Sequence, residues 1–255
     1  MLEEEMNEII EHCRRYYESP PVPDELSRYN RLFKDRRYHL HYKDVFPCFF
    51  TGDIEKKDQL LAISLNPRLD KTTWNEQGNC FQDWMCLCNS RFTKYESDEE
   101  IPPVFKNILK VFFDPKEIKR HGKKALLQDN IVNIDWCFYY SSRFRSLGKS
   151  FYEKHNIIGL YELFNNNIKF FVDQIKPRCI FVHGISEDIV TETMRKKGRK
   201  RITLWHGNRR YRVEFGRYGE TKIPLIYQRW FINRGNKEEN LTEIRNCIKE
   251  MDSHR

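Results

Sequence analysis

An apolar run, Leu60-Leu61-Ala62-Ile63-Ser64-Leu65, stops abruptly at Asn66-Pro67. So short a run, without alternation, suits a strand buried on both faces of a parallel sheet. Pro67 has no N–H for the ladder and pushes the residue before it out of the helical region. Asn66 is therefore expected in extended geometry at the carboxyl end of a central strand, the edge at which open α/β sheets bind ligands. Other strand-like runs also break on polar side chains. Ile131-Val132 meets Asn133, Cys179-Ile180-Phe181-Val182 runs into His183-Gly184, and Ile223-Pro224-Leu225-Ile226-Tyr227 runs into Gln228-Arg229. Rigid amides and an imidazole at one sheet edge suit hydrogen bonding to a ligand. After Asn66, residues 70–98 lack clear periodicity and hold Asp70, Trp74, Asn75, Glu76, Gln77, Asn79 and Gln82, which reads as a binding loop.

The elements that must hold these residues follow from periodicity. Leu2, Met6, Ile9, Cys13 and Tyr16 recur at helical spacing, and Pro20, Pro21 and Pro23 stop that helix. A second helix carries Leu26, Tyr29, Leu32 and Phe33. Val45-Phe46-Pro47-Cys48-Phe49-Phe50 reads as a strand at a sheet edge because of Pro47. Further helices are expected over 103–113, 155–175, 186–197 and 237–250, and three short strands over 201–205, 211–215 and 223–227. Strands alternating with helices predict a three-layer α/β/α architecture with a central, mainly parallel sheet. The expected organisation is a single domain over 1–255, with an N-terminal helical extension over 1–42.

Composition bounds the function classes. A chain of 255 residues suits one large domain. Its 32% charged residues, mean hydropathy of -0.77 and lack of a membrane-length apolar run predict a soluble protein with no membrane partner. Met1-Leu2-Glu3-Glu4-Glu5 is acidic where a signal peptide would be basic, so a cytoplasmic location is expected. There, the eight cysteines read as reduced thiols. Cys80, Cys86 and Cys88 match no common zinc or iron–sulfur spacing, and no metal or cofactor is expected. Net charge is +8 and the pI about 9.0. The positive charge clusters in 195–201, 119–124, Arg143-Phe144-Arg145 and Arg209-Arg210-Tyr211-Arg212, which suits a polyanion, nucleic acid first. Neither a P-loop nor a dinucleotide fingerprint is present.

In their order, Asn66-Pro67, Gly78-Asn79-Cys80-Phe81, Asn133 on the second central strand and the late strand before Gln228-Arg229 resemble the motifs of the uracil-DNA glycosylase superfamily. The resemblance spans about residues 45–235, and the Asn-Pro form is similar to the mismatch-specific, thymine-DNA glycosylase branch. It implies that Asn66 positions the attacking water, that Phe81 stacks on an extruded base and that Asn133 reads the pyrimidine edge. The strand ending at His183-Gly184 also fits the family order. Two signatures depart from the pattern. Gln228-Arg229-Trp230-Phe231 stands where the family has His-Pro-Ser-Pro or Asn-Pro-Ser, and Gly-Gln-Asp-Pro-Tyr-His is absent. With the polar loop after Asn66, these departures resemble antiphage glycosylases that excise glucosylated hydroxymethylcytosine from viral DNA.

The implied activity is that of a monofunctional DNA glycosylase, a monomer acting on duplex DNA without a metal. Flipping a base out of a duplex costs roughly a few kcal/mol, and stacking on an aromatic such as Phe81 contributes about 1–3 kcal/mol. Cleavage builds positive charge on the sugar. The Asn66 amide cannot deprotonate water but can orient it through its carbonyl oxygen. Asp70 or Glu76 could supply a carboxylate, and Gln228 or His183 could stabilise the departing base. Arg143, Arg145, Arg209, Arg210 and Arg229 are the candidate phosphate contacts. Taken singly, Asn66 is a turn residue, Phe81 a core residue and His183 a strand-end residue bonded to backbone; their order carries the catalytic reading. The alternatives are a uracil or mismatch repair glycosylase, a metal-dependent nuclease built on Glu220-Thr221-Lys222 with Glu214, and a DNA-binding module without catalysis.

Overall fold

The computed structural model describes residues 3–43, 46–56, 58–65, 67, 80–145, 147–194, 197–206, 209–228 and 238–252. The chain opens with helices α1 (Glu3–Glu18) and α2 (Pro23–Arg31), then strands β1 (Phe50–Thr51) and β2 (Leu60–Ser64). Helices α3 (Phe81–Ser90), α4 (Pro103–Phe112), α5 (Pro115–His121) and α6 (Lys123–Asn130) lead to β3 (Ile131–Asp135). Helices α7 (Lys149–Lys154) and α8 (Ile158–Ile175) precede β4 (Cys179–His183) and α9 (Glu187–Met194). The long strands β5 (Lys197–His206) and β6 (Arg209–Arg217) are followed by β7 (Pro224–Gln228) and α10 (Glu238–Asp252).

All of these strands form one sheet in the order β1-β3-β2-β4-β7-β6-β5. The four central strands β3, β2, β4 and β7 are parallel, with antiparallel β1 at one edge and antiparallel β6 and β5 at the other. The near-continuous apolar runs seen in the sequence are the price of burial on both faces. Leu61, Ile63, Val132, Ile134, Ile180, Val182, Leu225 and Tyr227 meet α1, α2, α3, α7, α8 and α9 on one side. Leu60, Ala62, Ile131, Cys179, Phe181 and Ile226 meet α4, α6 and α10 on the other. The result is three layers, α/β/α.

Several expectations changed on folding. The strand expected over 45–50 is only Phe50–Thr51, although Cys48 N–H still donates to the Phe138 carbonyl at 2.8 Å. The expected loop over 70–98 contains α3 and a 3-10 turn at Arg91–Lys94. Phe81, Trp84, Met85 and Cys88 recur at helical spacing and are buried, which is why that stretch is helical. The helix expected over 155–175 is α8, which starts at Ile158 because Asn156 adopts φ 54; the short helix α7 before it was not expected. The short strands expected over 201–205 and 211–215 are a hairpin of two long strands. The N-terminal helices are layered onto the sheet: Ile9, Cys13, Leu26 and Tyr29 lie in the same core as Phe164, Ile168 and Phe171 of α8.

Candidate active site at the carboxyl edge

Among the parallel strands, β2 is followed in the chain by β3 on one side and β4 by β7 on the other. Connections departing in opposite directions leave a crevice between the carboxyl ends of β2 and β4, the usual ligand position in such sheets. The register aligns the last residue of each parallel strand at this edge. Ser64 pairs with Asp135, Ile63 pairs with Val182 so that Ser64 is level with His183, and His183 pairs with Gln228. Asp135, Ser64, His183 and Gln228 therefore form one row. They share the parity of Leu60, Ala62 and Phe181, which puts them on the α4–α6–α10 face. Asp135 and His183 are 5% exposed and Gln228 1%. Three strand spacings make the row about 14 Å long.

Asp135 is the electrostatic centre of one end. Ser64 Oγ lies 2.5 Å from Asp135 Oδ1 and 3.2 Å from Asn133 Oδ1. Burial, and then the neighbouring Cys48 thiol, raise the Asp135 pKa to about 8, opposed by the Ser64 hydrogen bond and the charge of Arg91. At neutral pH this carboxyl is a neutral acid, able to donate as well as accept. Cys48 is pulled below the ordinary thiol range by a hydrogen bond from Cys88 and, more weakly, by Arg91 and Tyr140, against its burial. Arg91 Nη1 lies 3.4 Å from the Tyr140 hydroxyl, and Cys48 Sγ lies 3.8 Å from Thr51 Oγ1. Asp135 was not singled out in the sequence. The signal was present in Ile131-Val132-Asn133-Ile134-Asp135, where the alternate residues on one face become polar toward the strand end.

At the other end, burial lowers the His183 pKa to about 4, so this imidazole is neutral at physiological pH. A neutral imidazole can offer a ligand hydrogen bonds, not charge. Gln228 has neither its Oε1 nor its Nε2 hydrogen-bonded, and among the described residues it is the side chain with both polar atoms buried in this state. Burying an unpaired amide is unfavourable, so such a group is a strong candidate for ligand contact.

Asn66 and Asp70 lie outside the described residues, as do Glu76 and Arg229. The residues beside Asn66 are held tightly. The segment after β3 donates from Trp136 N to Ser64 O at 2.8 Å, from Cys137 N to Leu65 O at 2.9 Å and from Ser141 N to Pro67 O at 3.4 Å. Asn133 is not the last residue of its strand, because the ladder continues to Asp135. It sits one rung inside, paired with Ala62 and Thr51. Phe81 is not gathered with the row. It begins α3 in the core on the opposite face, edge-on to Tyr17 at 5.3 Å, with the Arg14 guanidinium 5.3 Å from its ring centre. A base stacking on the ring face beneath Arg14 would have to displace that side chain.

No protein-family model, curated protein or solved structure matches this chain. The site is therefore argued from its own chemistry. Arg143 and Arg145 are exposed just beyond Ser141 and meet the turn at Arg36–Tyr38. Arg143 N–H donates to the Arg37 carbonyl at 2.7 Å, and the Arg145 guanidinium lies 4.8 Å from the Tyr38 ring centre. Hydrogen bonds from Arg145 and Arg143 lower the Tyr38 pKa. Exposed Arg36 and Arg37 thus join a basic surface that the sequence reading did not assemble. Arg209 and Arg210 are on β6, with backbones paired to His206 and Trp205. Glu220 is exposed in the turn between β6 and β7, at the opposite edge of the sheet from the row, while Glu214 is buried within β6. The E-x-K residues therefore do not converge with the row. Among the described residues no group of three or more His, Cys, Asp or Glu is arranged to hold a metal ion.

Proposed function

We propose that this protein is a monofunctional DNA glycosylase that flips a modified pyrimidine into the carboxyl-edge crevice and hydrolyses its N-glycosidic bond, leaving an abasic site. The observation that carries the reading is the row of buried Asp135, His183 and Gln228 with half-buried Ser64, which stands two residues before Asn66 in the chain. In this reading Asn66 orients the water, and its chain neighbours Leu65 and Pro67 accept hydrogen bonds from Cys137 N–H and Ser141 N–H. Neutral Asp135 receives an edge of the base, and the Gln228 amide, about 14 Å along the row, is left for a group attached to it. A row about 14 Å long is wider than a lone pyrimidine needs, and this favours a base with a polar adduct, such as glucosylated hydroxymethylcytosine of viral DNA. The exposed arginines around Tyr38 suit phosphates flanking the flipped nucleotide.

The test is incubation with plain, uracil-containing, mismatched and glucosylated phage DNA, followed by alkaline cleavage. Alkali-labile sites are expected in the glucosylated DNA and are expected to be lost with Asn66→Ala. Wild-type protein that makes none in any of these substrates refutes the enzyme reading. Full activity of Asn66→Ala refutes its assignment as the water-positioning residue.

A further inference from the structure

The hairpin of β5 and β6 is longer than the sheet it joins. Val213 pairs with Gln228, the last residue of β7, so Arg209, Arg210, Tyr211 and Arg212 continue past the carboxyl edge. They do not continue alone. Thr203, Leu204, Trp205 and His206 of β5 pair with them rung for rung. Four rungs extend about 13 Å beyond the edge on which the candidate site lies, and β6 stands only two strand spacings, about 10 Å, from β4. The ladder makes the extension a two-stranded ribbon, each strand hydrogen-bonded to the other along its inner side.

Charge on the ribbon is one-sided. Residues 197–217 include eight lysines and arginines, of which Arg209, Arg210 and Arg212 lie beyond the edge, and a single carboxylate, Glu214. That carboxylate is buried within the sheet and does not balance the part beyond it. Arg210 and Arg212 occupy alternate positions, so they belong to one face of the ribbon at about 6.6 Å separation. That is about twice the 3.4 Å axial rise per phosphate of one strand of B-DNA. Arg212 is exposed. Trp205, paired with Arg210, adds an aromatic position to the same face of the ladder.

We propose that the β5–β6 ribbon is a duplex-gripping arm, whose Arg210–Arg212 face lies along the phosphate backbone beside the flipped nucleotide. The inference rests on the DNA reading above but concerns a different surface from the crevice. It explains why a long basic hairpin is inserted between β4 and β7, next to the edge where chemistry is proposed.

The test uses the full chain and a fluorescent, unmodified duplex of about thirty base pairs, titrated between about 50 and 200 mM salt. R210Q/R212Q is expected to flatten the slope of log affinity against log salt by about 1.8, so that wild-type protein loses about twelvefold more affinity than the variant across that range. R210K/R212K is expected to keep the wild-type slope. If the double variant does not fold by circular dichroism, R212Q alone is read for a change of about 0.9. An unchanged slope overturns the arm. So does retained duplex binding with loss of binding to phosphatidylserine vesicles, which would make the ribbon a membrane contact. Because the duplex is unmodified, binding is read apart from excision: absence of abasic sites from glucosylated phage DNA in a parallel assay counts against the glycosylase reading alone, and the salt slope still judges the arm.

Discussion

Asp135 ends its strand as a carboxyl whose pKa is raised to about 8, first by burial and then by Cys48. If it receives a base edge as a neutral acid, activity belongs to the protonated form and is lost as pH rises through about 8. Asp135→Asn keeps a donor and an acceptor, so a pH–rate profile is expected to show that alkaline limb flattened. A limb unchanged in the variant contradicts the role. Cys48→Ser removes a negative neighbour, which lowers the Asp135 pKa and should move the limb toward lower pH. Stability has a matching sign. Between the ordinary 3.8 and about 8, the folded state holds a proton that the unfolded state has released, so stability declines as pH rises through that window. His183 runs the other way. Its pKa falls from 6.5 to about 4, so its contribution is present above 6.5 and is lost as pH falls toward 4. Urea midpoints near pH 5 and near pH 8 should show Asp135→Asn gaining on wild-type protein as pH rises.

The elements explain how such a row is held. Gly52, after β1, adopts φ 116, and its N–H donates to the Cys88 carbonyl at 3.0 Å, tying α3 to the sheet edge. A Cβ there would collide with the Ile131 carbonyl oxygen. Gly52→Ala is expected to cost about 1–3 kcal/mol in chemical denaturation, and a loss below about 0.5 kcal/mol would contradict this account of the turn. The parallel strands were legible because burial on both faces leaves unbroken apolar runs, although the polar end expected at Asn133 lies one rung inside β3, which runs on to Asp135. The polar strand ends were legible for the same reason, as interruptions of those runs. What could not be read was register. That Asp135, Ser64, His183 and Gln228 stand level depends on long-range pairing, and no local pattern encodes it. Helix α3 was hidden by the acids and amides around its apolar stripe. The extent of β5 and β6 was hidden because cations are poor strand signals, although pairing across the hairpin satisfies their backbones.

For the whole molecule, part of the positive charge stands near the carboxyl edge, in the exposed arginines around Tyr38 and at Arg212 of the β5–β6 ribbon. Arg145→Gln is expected to weaken binding equally across DNA sequences and to flatten the salt slope by about 0.9, measured by anisotropy. A sequence-selective loss would mark it instead as a base contact. No helix among the described residues is long and apolar enough to cross a membrane. Excision and strand cleavage make different products, so the most direct measurement is mass spectrometry of what the wild-type protein releases from glucosylated phage DNA. The account predicts free modified base in step with abasic sites, unaffected by EDTA. Nicked strands without free base, or no release at all, would contradict it.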